Sequence, residues 1–160
     1  MSTKIILADY QNPQHAADIV TLMDEYARLP MIYGKPLPDT IKAKLANELN
    51  QVPGAFSVLC YVDDTPAGLT NCLQSFSTFK CQPLVNVHDV MVSADYRVRG
   101  LTRKLFNKVE EVARERGCCK LTLEVLEKNE AARRAYQAIG FESYGAGPEH
   151  GAAQFWEKAL

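Results

Sequence analysis

Apolar positions change period several times along this chain, and each change marks an expected element. Thr3 to Ala8 alternates, which predicts a first strand. From Pro13 to Leu29 the residues Ala16, Ile19, Val20, Met23 and Ala27 fall at helical spacing. Pro30, Gly34, Pro36 and Pro38 then break the chain into a loop. Asp39 or Thr40 stands where it can cap a second helix running through Asn50, with Ile41, Leu45 and Leu49 on one face. Phe56 to Val62 reads as a strand, Asp63-Asp64-Thr65-Pro66 as a turn, and about Ala67 to Phe79 as the returning strand of a hairpin. Leu84 to Val92 is a fourth strand.

The period returns to helical at Leu101, Leu105, Phe106, Val109, Val112 and Ala113. Glu110 and Arg114 form an i,i+4 pair on the opposite side, and Gly117 is placed for a left-handed cap. Leu121 to Val125 predicts a strand. Asn129 caps a last helix whose Ala132, Ala135, Tyr136 and Ile139 share a face, and Gly140 ends it. Phe141 to Tyr144 reads as strand, Gly145 to Gly151 as a loop, and Gln154 to Lys158 as a strand closing the sheet.

With no repeat, low-complexity tract or interdomain linker, these elements predict one mixed α/β domain over residues 1–160. A hydrophobic content of 47% is that of a folded chain. The net charge of −1 disfavours a general nucleic-acid binder. No basic-plus-apolar leader and no apolar run of spanning length are present, so no membrane partner is expected. Five cysteines without C-x-x-C spacing indicate neither a disulfide framework nor a metal site, and a reducing cytoplasm is the simple setting.

Candidate chemistry concentrates in residues 85–106. The β-branched run from Val85 to Val92 gives way to the polar turn Ser93-Ala94-Asp95-Tyr96, then Arg97-Val98-Arg99-Gly100, and at once a helix. The first turn of a helix presents unpaired N–H groups and the positive end of the macrodipole, so this turn is suited to a pyrophosphate. Gly100 lets an anion approach the main chain. The G-x-x-x-x-G-K-[ST] and G-x-G-x-x-G patterns are both missing, which disfavours a P-loop or dinucleotide site.

The segment Arg97-Val98-Arg99-Gly100-Leu101-Thr102 resembles motif A of the GNAT superfamily of acetyl-CoA-dependent N-acetyltransferases. That motif is Arg or Gln, two residues, Gly, one residue, then Gly or Ala; Thr102 departs from the last position. A later stretch, Asn129-Glu130-Ala131-Ala132-Arg133-Arg134-Ala135-Tyr136-Gln137-Ala138-Ile139-Gly140-Phe141, resembles the family's segment in which an Asn opens a helix and Gly-Phe closes it. The likeness covers roughly residues 55–160.

The resemblance implies a single GNAT-like domain with a mostly antiparallel mixed sheet of about six to seven strands and helices on both faces. It implies acetyl-CoA as cofactor, with coenzyme A as product. The cofactor's pyrophosphate would meet Arg97, Val98, Arg99, Gly100, Leu101, Thr102 and Arg103. Its pantetheine arm would pair with the backbone of Val90, Met91 and Val92, with Asn129 and Tyr136 also on the cofactor. Tyr136 takes the family's proton-donor position, although it equally suits core packing on its helix. A small-molecule amine would be the acceptor, and a homodimer is compatible, since such domains often pair.

For the base, His88 and Asp89 are the candidates. Strict alternation sends them to opposite faces, so they share a cavity only if the strand is bulged. A carboxylate within an apolar strand is costly unless bonded, and an imidazole can take a proton near neutrality. His88 is favoured as base with Asp89 orienting or binding the amine; a buried polar group satisfied by its neighbours is the ordinary account of either. Glu25, Tyr33, Ser75, Ser77, Tyr144 and His150 are weaker candidates for the acceptor pocket. No cysteine sits in a nucleophile setting, so transfer is expected to be direct, within a ternary complex. A non-catalytic acyl-CoA sensor and a protein amine acetyltransferase remain the alternatives.

Overall fold

In a computed structural model describing residues 1–160, the strands β1 (Thr3–Leu7), β2 (Phe56–Val62), β3 (Thr65–Ser77), β4 (Gln82–Val92) and β5 (Leu121–Leu123) form one sheet in sequence order. The first three pairings are antiparallel and β4–β5 is parallel. The fold class is therefore mixed α/β, with five strands rather than six to seven. The helices are α1 (Pro13–Arg28), α2 (Asp39–Lys42), α3 (Leu45–Gln51), α4 (Leu101–Glu115) and α5 (Glu130–Ile139). The chain comprises two units, Met1–Leu123 and Glu124–Leu160.

Within the first unit the sheet carries a helix on each face. On one face Ile6, Leu59, Leu69 and Met91 lie opposite one another across β1 to β4. With Ile19 and Leu22 of α1 they form a core cluster. Asn12 starts α1, its side chain accepting from the N–H groups of Gln14 and His15, and Pro13 follows at the first helical position. On the other face lie Gly68 and Thr70. A Cβ at Gly68 would stand 3.3 Å from a Leu105 methyl, so glycine here lets α4 approach β3 closely. The apolar face of α4 is buried throughout, from Leu101 to Ala113. Each such large side chain stabilises the fold by roughly 1.5–3 kcal/mol.

Three expectations are corrected. The helix through Asn50 is two short helices, because Lys44 leaves helical geometry at φ −121° and ψ −11°. That break turns Leu45 and Leu49 onto the core and leaves Ile41 36% exposed. The β2–β3 turn is tighter than expected: Asp63 and Asp64 both take positive φ, and β3 begins already at Thr65. In the second unit, Phe141–Tyr144 and Gln154–Lys158 are not strands. A single antiparallel bridge joins Gly145 to Ala152, with Ala153 N–H donating to Tyr144 O at 3.0 Å. The intervening loop holds Gly145, Gly147, Pro148 and Gly151, whose conformational freedom and missing donor oppose further pairing.

Candidate active site

The sequence around β4 creates three local irregularities, and each exposes polar groups. The first is a bulge. Asn71 of β3 pairs with Asp89, but Cys72 pairs with Val87, leaving His88 as the extra residue. Val87 lies opposite Cys72 on the α4 face, whereas Asp89 lies opposite Asn71 on the α1 face. Without the bulge Asp89 would share the face of Val85 and Val87. His88 is exposed and Asp89 half-buried.

The second is an open strand edge. Pairing of β4 with β5 runs only from Val85–Leu121 to Val87–Leu123. Ser93 N–H donates to Ala67 O at 2.9 Å. Alternation from that pair directs the Met91 and Asp89 main chain to β3. The N–H and C=O of Val90 and the N–H of Val92 then face the edge away from β3. The Val92 carbonyl accepts from Arg97 Nε at 3.2 Å. The Met91 side chain is buried in the α1-face core.

The third is the turn into α4. Val98 and Gly100 both lie in the left-handed region, at φ 62° and 72°. Gly100 is the N-cap and no side chain caps the helix. The N–H groups of Leu101, Thr102 and Arg103 belong to that uncapped first turn. Lys104 N–H reaches Gly100 O at 3.3 Å. No acidic residue stands in the first turn, which instead holds Arg103 and Lys104 against the positive end of the dipole. Arg99 lies over the Tyr96 ring, 5.6 Å from its centroid, and its Nη1 is 3.1 Å from Met1 Sδ. Alternating φ signs with cationic flanks are the kind of backbone that presents N–H donors to an anion.

On the α1 face a row of polar side chains crosses the sheet, a feature sequence reasoning missed. Tyr10 and Ser57 hydroxyls are 2.8 Å apart, Ser57 Oγ donates to Asn71 Oδ1 at 2.6 Å, and Asn71 Nδ2 donates to Asp89 Oδ2 at 3.0 Å. Burial, and then the Asp89 charge, raise the Tyr26 phenol above its ordinary value, so it stays neutral beside that carboxylate. The available signal was Ser57 and Asn71 standing inside apolar strands. Their meeting with Asp89 depends on a bulge that period-two reasoning does not locate.

Among the acceptor candidates, Glu25 accepts from Ser93 Oγ at 2.7 Å and Ala94 N–H at 3.4 Å, clasping the end of β4. Ser77 Oγ accepts from Lys80 N–H in the β3–β4 turn at 3.2 Å. The Tyr33 ring lies under Lys35 Nζ at 4.7 Å, and Ser75 is exposed. Burial pushes the Cys72 thiol up to about 12 and also raises Cys60 and Cys118, which denies each the thiolate a covalent route needs.

In the second unit Asn129 caps α5, its Oδ1 accepting from Ala132 N–H at 3.2 Å. Tyr136 is half-buried and meets the Phe141 ring edge-on, with centroids 6.1 Å apart. Tyr144 and His150 are exposed, and His150 Nε2 is 3.7 Å from Glu149 Oε1.

The chain is similar to known proteins in sequence and in fold. The acetyltransferase (GNAT) family model matches residues 19–141. The thialysine N-epsilon-acetyltransferase of Caenorhabditis elegans is 26% identical over 81% of this chain and 78% of that protein. The Bos taurus protein of the same name is 39% identical, over 41% of this chain and 38% of its own. Among solved structures, AAC(6')-Iy in complex with a CoA-S-monomethyl-acetylneamine bisubstrate analogue superposes with a TM-score of 0.75 at 20% identity, covering 100% of both chains. An aminoglycoside acetyltransferase from an uncultured soil metagenomic sample, in complex with sisomicin, gives 0.79 at 12% identity over 99% and 97% of the two chains. The family match over most of the chain and the shared fold lead to one conclusion: the chain belongs to the acetyltransferase (GNAT) family, enzymes that use acetyl-CoA to acetylate amines.

Proposed function

We propose that this protein transfers the acetyl group of acetyl-CoA directly to a primary amine of a small molecule, within a ternary complex. The observation that carries the reading is the uncapped, purely basic first turn of α4, next to a β4 edge with unpaired main-chain groups. A pyrophosphate fits that turn because Gly100 leaves its main chain open and the donors converge there. Arg97, Arg99, Arg103 and Lys104 supply positive charge around it. The Val90 and Val92 main chain offers an amide-bearing arm the partners of an additional strand. When bound, acetyl-CoA supplies an activated thioester.

The acceptor side has its own chemistry. A protonated amine is held by Asp89, whose carboxylate has a neutral donor in Asn71 and no lysine or arginine partner. His88, exposed at the bulge, receives the amine's proton and passes it to water. Tyr136 is assigned as the acid that protonates the departing thiolate. The names of the relatives and neighbours support a small amine as acceptor, since they refer to thialysine and aminoglycosides.

The test is acceptor-dependent release of free thiol from acetyl-CoA, measured with thialysine, lysine, spermidine and neamine. Turnover with at least one of them is expected, and Tyr136→Phe should lower kcat by about a hundredfold, the lower end of acid catalysis. Its affinity for acetyl-CoA should stay within about twofold, less than 0.5 kcal/mol. Absence of turnover by a folded, acetyl-CoA-binding protein would reject the reading.

A further inference from the structure

Asp89 is oriented by a hydrogen-bonded row whose direction is determined. The Ser57 Oγ–H is committed to Asn71 Oδ1, so the Tyr10 hydroxyl must donate to Ser57 Oγ. Asn71 then has its carbonyl oxygen turned to Ser57 and its amide N–H turned to Asp89. Rotating that amide by half a turn would set its oxygen against the carboxylate and its NH2 against the Ser57 proton, losing two buried bonds at once. Asn71 Nδ2 also lies 3.2 Å from Met23 Sδ of α1, which closes the row from above. Ser57 and Asn71 are 0% and 4% exposed, so their polar groups depend on these partners.

We propose that Asn71, set by Ser57 and Tyr10, is the positioning residue that holds the Asp89 carboxylate in the rotamer that receives a cationic amine. The inference rests on the amine-acceptor reading above. Asn71 contacts only Asp89 Oδ2, which leaves Oδ1 for an ammonium group. The bulge at His88 is part of the device: it brings Asp89 onto the face where Asn71 stands directly opposite. An apolar residue at 71 would leave Asp89 its charge but neither a fixed direction nor a neutral donor.

The test is a double-mutant cycle. Thiol release with thialysine, lysine, spermidine and neamine, calorimetric binding of the best of these amines in the presence of coenzyme A, and melting temperature are measured for the wild type, Asn71→Leu, Asp89→Asn and the double variant. Asn71→Leu should raise KM and weaken amine binding about tenfold, corresponding to about 1.4 kcal/mol, while kcat and acetyl-CoA affinity change by less than about threefold. In the Asp89→Asn background the same substitution should have no further effect on amine binding. Ser57→Ala and Tyr10→Phe, which do not touch Asp89, should weaken amine binding by about twofold to fivefold and cover the case in which Asn71→Leu does not fold. Unchanged amine binding in folded Asn71→Leu, or in both outer variants if it does not fold, overturns the positioning role. So does an equal loss with and without Asp89. Wild type that binds acetyl-CoA but acetylates none of the amines overturns the acceptor reading itself, and this inference with it.

Discussion

Val98 is a β-branched residue in the left-handed region, at φ 62°, with its side chain fully in solvent. Nothing packs against the side chain to repay that conformation, which ordinarily costs 1–3 kcal/mol at roughly this kind of position. The strain belongs to the turn that orients the α4 donors. Val98→Gly should therefore stabilise the protein by about 1 kcal/mol after the greater freedom of glycine in the unfolded chain is counted. Chemical denaturation checks it, and a loss of stability would show that Val98 is held by something other than turn geometry. At this scale Gly117 and Asn129 were legible from residue type and place, because a left-handed cap and a side-chain cap each demand few residues. Asn71 was not, because its partner is chosen by register rather than by neighbours in sequence.

Asp24 shows how elements are tied together by charge. It accepts from Leu37 N–H at 2.9 Å and pairs with Lys42 at 3.1 Å and Arg28 at 3.0 Å, joining α1 to the loop and to α2. Burial works to raise its carboxyl, but the Leu37 N–H, Lys42 and Arg28 outweigh it and hold it below the ordinary range. A depressed carboxyl stabilises the fold above the unfolded value of about 3.9, and that contribution fades as pH falls through the lower folded value. Asp24→Asn should thus lower the melting temperature at neutral pH and converge with wild type in strong acid. A gap that persists unchanged at the lowest pH would mean that its role is not ionic. The long elements were legible because burial imposes a clean period, as in α1, α4 and β2, where the expected Phe56–Val62 is the observed strand. The α2–α3 break was not, since Ile41, Leu45 and Leu49 fit one continuous helix on spacing alone. The two missing C-terminal strands had suitable composition, but a strand needs a paired neighbour as well as apolar residues.

Across the whole molecule the net charge is −1, yet the segment from Arg97 to Lys104 carries four cations, Arg97, Arg99, Arg103 and Lys104, and no acidic residue. A near-neutral chain with one basic helix start attracts a specific anion at that place without the general attraction of a basic protein. Gly100 allows a direct test, because a Cβ there meets nothing within 4 Å while φ is +72°. Gly100→Glu should fold with a penalty of roughly 1–2 kcal/mol and carry a negative side chain beside the donors. The decisive measurement is calorimetric titration of acetyl-CoA into wild type and Gly100→Glu, with ATP as comparator. Wild type should bind acetyl-CoA in preference to ATP, and the folded variant should bind neither. Retained acetyl-CoA binding by folded Gly100→Glu, or none by folded wild type, would contradict a pyrophosphate site at this turn.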